Sequence, residues 1–312
     1  MVALRGLGVL TSVVVAVAIH GLFSRNQVIE RSDGFVDPNR TYFFWTHRKT
    51  GTNLMQAICN LTALAVSGGS EECAWCLRAL SVDGKGKYIC SPDEHPEHGK
   101  LRATVGRFTL LSSIGPNELA LIRRHTPNFR AIHMIREPVT MAISAYKYDK
   151  FVTTNAGSRW RWDVSAEEPA KQHASVGEEL QVEANAILGQ LTEMAMVHHL
   201  TSSDPRIMTS DLEAFEAGFD NVSTKLFTFL FDKIPTEALN ALVQRAANYD
   251  TTRWSKTMLE GAATTAPSQR MNTTQIRMAW KALEDAGNED VLKVVGFRET
   301  LGYAASPPEA KE

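Results

Sequence analysis

The sequence predicts an α/β fold, a mainly parallel sheet with helices on both faces, and three observations carry that prediction. Short apolar runs rich in aromatic and β-branched residues alternate with longer segments of helical periodicity. Two of those runs, Thr41 to Thr46 (TYFFWT) and Phe129 to Ile135 (FRAIHMI), pass directly into a polar loop and a helix start. The 312 residues, 44% hydrophobic and 22% charged, suffice to bury one core of ordinary enzyme size. A net charge of -2 and a pI near 6.5 exclude wholesale attraction to nucleic acid, so any affinity for anions is local.

Ahead of the first strand, Arg5 precedes an uncharged apolar run from Gly6 to Phe23, followed by Arg25 and a polar stretch. The run is about the length that crosses a bilayer. It reads as a signal anchor over residues 6–23, with a short segment 1–5 before it and a stem over 24–40 after it. Small residues such as Ala16 and Ala18 leave a cleaved signal peptide open. Both versions send the remainder into the secretory lumen. Asn-x-Ser/Thr triplets at Asn39, Asn60, Asn221 and Asn272 fit that compartment as glycan acceptors, provided they lie on the surface. Four cysteines, Cys59, Cys73, Cys76 and Cys90, suit one or two lumenal disulfides with three alternative pairings. Cys73, Cys76 and Cys90 with His95 and His98 also offer tetrahedral zinc ligands; the disulfide reading is favoured over zinc and over unpaired buried cysteines.

The first strand leads into His47-Arg48-Lys49-Thr50-Gly51-Thr52-Asn53 and then Leu54-Met55-Gln56-Ala57-Ile58, a run of good helix formers with apolar residues at helical spacing. A helix start presents unpaired N–H groups and a positive dipole end, and Gly51 lets the backbone approach an anion closely. Lys49 adds a full charge, and Thr50 and Thr52 add hydroxyls. The ATP-binding loop needs a Gly four residues before Gly-Lys-Ser/Thr; here Lys49 precedes Gly51 and no earlier glycine stands in the loop.

The second run leads into Arg136-Glu137-Pro138, with Pro138 suited to the first turn of a helix. Ser144 follows two turns into that helix. Arg136 and Ser144 are thereby predicted to converge on one anion, and the planar guanidinium fork matches phosphate oxygens.

Lys-Thr-Gly-Thr after a first strand and Arg-x-Pro-x5-Ser-x-Tyr after a later one together resemble the sulfotransferase family that uses the donor PAPS (3′-phosphoadenosine 5′-phosphosulfate). The likeness runs from about Thr41 to Tyr303. It includes Ser210-Asp211-Leu212, where the family has an acidic pair before Leu, and Leu301-Gly302-Tyr303 at the end. It implies a P-loop-like three-layer domain over 41–303 and a tail over 304–312. It also implies that Arg48, Lys49, Thr50, Gly51, Thr52 and Asn53 hold the donor's 5′ end, and that Arg136 and Ser144 hold its 3′-phosphate. Three departures stand out. Arg48 replaces the usual Pro, Asn53 replaces a common Thr, and Leu54 stands where cytosolic members place an adenine-stacking Trp. The last shifts the likeness toward the membrane-bound, lumenal branch.

The resemblance implies in-line transfer of a sulfuryl group to a hydroxyl or amine of an acceptor, with carbohydrate the first expectation and no metal required. Lys49 and the loop amides neutralise the charge that grows on the bridging oxygen. Glu72, narrowly ahead of Glu71, is the expected general base, about 22 residues after Lys49 where glycan-modifying relatives place a catalytic Glu; His95 and His98 follow. The implied setting is a single-pass type II protein of the Golgi membrane, or a secreted one if the signal is cleaved. A kinase or NTPase using the same loop, and a non-catalytic anchored glycoprotein retaining the fold, remain open. Among the other readings, a helix begins around Val176 with His198 and His199 compensating the dipole near its end. The loop from Trp254 to Arg270 covers the nucleotide or merely connects. Closing helices run over Thr274 to Ala286 and Glu289 to Thr300.

Overall fold

The strand β1, Thr41–Trp45, has side chains that are buried on both faces, and the rest of the sheet is built outward from it. In the computed structural model residues 37–76, 80–82, 88–90, 106–155, 176–255 and 289–304 are described, with positions 277, 280, 281, 284 and 285 between them. From β1 the chain passes through helix α1 (Thr52–Ser67) to strand β2 (Ala74–Cys76), a two-stranded antiparallel pair β3 (Leu80–Val82) and β4 (Tyr88–Cys90), and strand β5 (Phe108–Leu111). Helix α2 (Pro116–His125) leads to strand β6 (Phe129–Ile135), and helices α3 (Pro138–Asn155) and α4 (Val176–Thr201) lead to strand β7 (Ile207–Asp211). Helices α5 (Leu212–Leu230), α6 (Thr236–Ala246) and α7 (Glu289–Thr300) follow.

The main sheet has the order β2-β5-β1-β6-β7, and every neighbouring pair is parallel. Alternation along β1 divides the core. Tyr42 and Phe44 pack with Met55, Ile58, Phe215 and Phe227 on the α1, α5 and α6 side. Phe43 and Trp45 pack with Leu119, Ile122 and Val197 on the α2 and α4 side. A strand apolar on both faces therefore sits between two helical layers, as a parallel sheet requires. A third cluster joins α3, α4 and α7 through Val139, Ala142, Leu180, Leu191 and Val294. After β1 the chain moves first to one side of the sheet and then, from β6, to the other. The carboxyl end of β1 is thus the topological switch point, where open α/β sheets leave a crevice.

The strands predicted at Thr41 and Phe129 and the helices predicted at Val176 and Glu289 appear within a residue of their expected bounds. The β3–β4 pair was not foreseen from the sequence. Cys59 on α1 is disulfide-bonded to Cys73 just before β2, and Cys76 is also disulfide-bonded. Sulfurs committed to disulfides are not thiolate ligands, so the zinc alternative at Cys73 and Cys76 falls away. His95, His98, Asn272, the expected anchor over 6–23, most of the stem, most of the Trp254 to Arg270 loop and nearly all of the tail lie outside the described residues. No described helix is long and apolar enough to cross a membrane. Asn39, Asn60 and Asn221 are exposed.

The Cys59–Cys73 bridge closes a loop of 14 residues of sequence separation. On the chain-entropy account it contributes about 3 kcal/mol. Urea denaturation of Cys73→Ser at neutral pH is expected to show a loss of that order, and an unchanged midpoint would place the stabilisation elsewhere.

Candidate functional site

The loop after β1 turns through two residues in the left-handed region, Lys49 with φ +67° and Gly51 with φ +94°. Gly51 is required there twice over. Its φ disfavours a side chain, and an added Cβ would lie 3.1 Å from Leu212 Cδ1. A non-glycine residue held at positive φ, as Lys49 is, is strain of the kind that collects at functional sites. The turn is closed by Thr50, whose N–H and hydroxyl both donate to the His47 carbonyl, the hydroxyl at 2.9 Å, while its oxygen accepts from the His47 N–H at 2.8 Å. Thr50 is fully buried and builds the turn rather than facing an anion. Thr52 donates to the Thr46 hydroxyl at 3.3 Å.

Helix α1 then starts at Thr52 with no side-chain cap, its first i to i-4 bond running from Met55 N–H to the Gly51 carbonyl at 3.0 Å. First-turn amides and the positive end of a 16-residue helix consequently point into the switch-point crevice. The Lys49 ammonium stands 3.9 Å from the centroid of the Tyr148 ring on α3, which fixes the charge at the mouth of the loop. Asn53 lies on the exposed side of the first turn.

Helix α4 braces the loop from the other side. Arg48 donates its N–H to Gln190 Oε1 at 2.8 Å, and its guanidinium is 3.8 Å from the Glu183 carboxylate. Arg48 is therefore a compensated charge.

The second motif meets the first. Arg136 Nη1 donates to the carbonyl of Lys49 at 2.9 Å, and Arg136 Nε lies 3.7 Å from Glu213 Oε1 without a hydrogen-bond partner. Burial raises the Glu213 carboxyl above its ordinary range against the lowering effect of Arg136. Its oxygens accept from Thr140 Oγ1, the Glu137 N–H and Tyr303 Oη. The start of α3 is occupied by Glu137, whose carboxylate accepts from the N–H groups of Val139 and Thr140 and pairs with buried Arg298 at 2.7 Å. Arg298 in turn lies over the Trp280 ring. Ser144 is buried two turns into α3, and no hydrogen bond joins it to Arg136.

The structure thus brings Arg48, Lys49, Thr50, Gly51, Thr52, Asn53 and Arg136 to one crevice. It does not bring Glu72 there. Glu71 and Glu72 are exposed beyond the far end of α1, about 24 Å of helix from the loop, on the amino-terminal side of the sheet. The sequence reading missed Tyr148, Glu183, Gln190 and Glu213. All four lie on helices; Tyr148, two residues past Tyr146, and Glu213, next to the Asp211-Leu212 pair, sit beside motifs, and Glu183 and Gln190 do not.

His47 and His133 form a fully buried pair beneath the loop, Nε2 to Nε2 at 3.1 Å, with both Nδ1 atoms unpartnered. His198 is half-buried, and its charge adds to the lowering of His133. Among the described residues no group of three His, Cys, Asp or Glu side chains could hold a metal.

No protein-family model matches the sequence, and no curated protein matches it either. Solved structures that resemble the fold include a mouse sulfotransferase complexed with PAP, at 10% identity and TM-score 0.43 over 85% of this chain and 89% of that one. Retinol dehydratase in complex with androsterone and inactive cofactor PAP matches at 11% and 0.43, over 81% of this chain and 82% of that one. The sulfotransferase domain of the Synechococcus PCC 7002 olefin synthase matches at 12% and 0.43, over 88% and 98%. At such identities and TM-scores the likeness carries no argument about activity.

Two outcomes follow from the loop and its floor. Burial pushes His47 down to about 3 and His133 well below its usual value, so both stay neutral in the folded chain as the pH falls below about 6.5 while the unfolded chain takes up protons. The stability each contributes is present above about pH 6.5 and is lost toward acid, at up to about 1.4 kcal/mol per pH unit for each group. Urea midpoints between pH 7.5 and 5 should fall more steeply in the wild type than in His133→Gln. Gly51→Ala should cost about 1–2 kcal/mol from the left-handed backbone alone, read by urea denaturation.

Proposed function

We propose that this chain is a PAPS-dependent sulfotransferase, with a donor site formed by the loop from Arg48 to Asn53 and by Arg136. The observation that carries the reading is the Arg136 Nη1 bond to the Lys49 carbonyl. It joins two motifs that resemble one family's donor-binding pair, 87 residues apart in sequence, at the switch point of a parallel sheet.

In this site the uncapped amides of α1 receive the donor's 5′-phosphate, and the Lys49 ammonium stands where charge grows on the bridging oxygen as the S–O bond breaks. Transfer needs no metal on this scheme. Arg136, whose Nε lacks a hydrogen-bond partner, takes the 3′-phosphate with the help of the Ser144 hydroxyl. Glu213 holds Arg136 before the donor arrives. The acceptor is a hydroxyl or amine, carbohydrate by the resemblance to lumenal relatives. The apolar run 6–23 makes the protein a type II Golgi membrane protein, a placement that rests on sequence alone.

Calorimetric titration of the purified full-length protein with adenosine 3′,5′-bisphosphate (PAP), with ATP as control, tests the donor site. Wild type is expected to bind PAP selectively. Arg136→Ala should weaken binding about 10- to 100-fold, the value of one charge-assisted hydrogen bond. Lys49→Ala should lose transfer by about 100-fold or more. No binding by folded protein, a preference for ATP, or wild-type affinity in Arg136→Ala would overturn the reading.

A further inference from the structure

Ser113 stands two residues beyond β5, and β5 is the neighbour of β1, so both strands deliver their carboxyl ends to the same crevice. The Ser113 hydroxyl donates to Glu193 Oε2 at 3.1 Å. Glu193 lies on α4 three residues after Gln190, the residue that accepts the Arg48 N–H of the anion loop. Residues three apart on a helix share a face, with Cβ atoms about 5–6 Å from one another. The Glu193 carboxylate is therefore held about one helical turn from the backbone that carries Lys49. Its stem packs against Gly115, where a Cβ would lie 3.9 Å from both Glu193 Cγ and Cδ. The facing charged group on α2 is Glu118, whose own carboxylate accepts the Gly115 N–H at 3.0 Å. Among the described residues the charged group that bears on Glu193 is Glu118: burial raises the Glu193 carboxyl above the ordinary range, the Ser113 bond lowers it, and Glu118 raises it again.

We propose that Glu193, oriented by Ser113, is the general base that takes the proton of the acceptor hydroxyl. The proposal rests on the sulfotransferase reading and replaces Glu72 in that role. In the step, the acceptor O–H proton passes to a Glu193 oxygen as the acceptor oxygen forms a bond to sulfur. The bond between sulfur and the bridging oxygen breaks, and its electron pair leaves with PAP beside Lys49. A half-buried carboxylate, its proton affinity raised by burial and by Glu118, is a better base than a carboxylate on an exposed turn. Ser113 fixes which oxygen faces the crevice.

The test uses full-length wild type, Glu193→Gln and Glu193→Asp, with PAPS as donor and two phenols as probe acceptors. Unsubstituted phenol is protonated at neutral pH and needs a base; 4-nitrophenol ionises readily and needs little help. PAP affinity is read by calorimetry and transfer by PAP release across pH 6 to 9. Glu193→Gln is expected to keep PAP affinity within about twofold and to lose transfer to phenol by about 100-fold or more, the usual worth of a general base. It should keep most transfer to ionised 4-nitrophenol and lose the acid limb of the pH–rate profile, and Glu193→Asp should recover part of the phenol rate. An unchanged phenol rate and profile in Glu193→Gln, an equal loss with both phenols, a parallel loss of PAP affinity, or PAP binding by wild type with transfer to neither phenol would overturn the proposal. Failure of wild type to bind PAP at all would instead overturn the donor site beneath it.

Discussion

The hydrogen bond from Arg136 to the Lys49 carbonyl is the contact on which the candidate site depends. A carbonyl in a strained turn is a poor place for a chain to rest, and two further contacts help to hold Lys49 at its positive φ. One is the Thr50 hydroxyl, which ties the turn back to His47. The other is Gln190, which holds Arg48 from α4. The Arg136 and Gln190 contacts come from distant parts of the chain, so the loop acquires its shape only when β1, β6 and α4 are all in place. The loop is thereby preorganised by the fold as well as by its own residues.

Charge is balanced in the same distributed way. Arg48 faces Glu183, Arg136 faces Glu213, and Arg298 is buried against Glu137. Lys49 is turned onto an aromatic face, the Tyr148 ring, which attracts the ammonium. Glu137 also closes the start of α3, while α1 has no side-chain cap. Unlike α3, α1 therefore keeps its dipole end open to an anion. The Glu137–Arg298 pair ties the last helix to the same edge, and removal of either partner would leave an uncompensated buried charge.

Much of the fold was legible because the central strands carry the strongest local signals. TYFFWT and FRAIHMI are apolar on both faces, and that pattern belongs to the middle of a parallel sheet. The turn after β1 was legible for a similar reason: Lys49, Gly51 and the helix formers after them are contiguous, and local sequence dictates a local turn. The expected base was not, because Glu72 was located by its distance along the chain from Lys49, whereas α1 carries the chain down the whole height of the sheet before that residue is reached. Gln190 and Glu193 left no mark in the sequence. Their placement depends on which face of a 26-residue helix meets the carboxyl ends of β1 and β5, and that is settled by packing across the molecule. The buried His47–His133 pair was hidden likewise, since its members are 86 residues apart and meet only through the register of β1 with β6.

Amide hydrogen exchange of the full-length protein with and without PAP addresses the central claim most directly, because it reports where a donor-shaped anion rests. The account predicts slowed exchange at residues 50–54 and around Arg136 on addition of PAP, with little change on addition of ATP. PAP that binds while exchange at those residues stays as it was would contradict it.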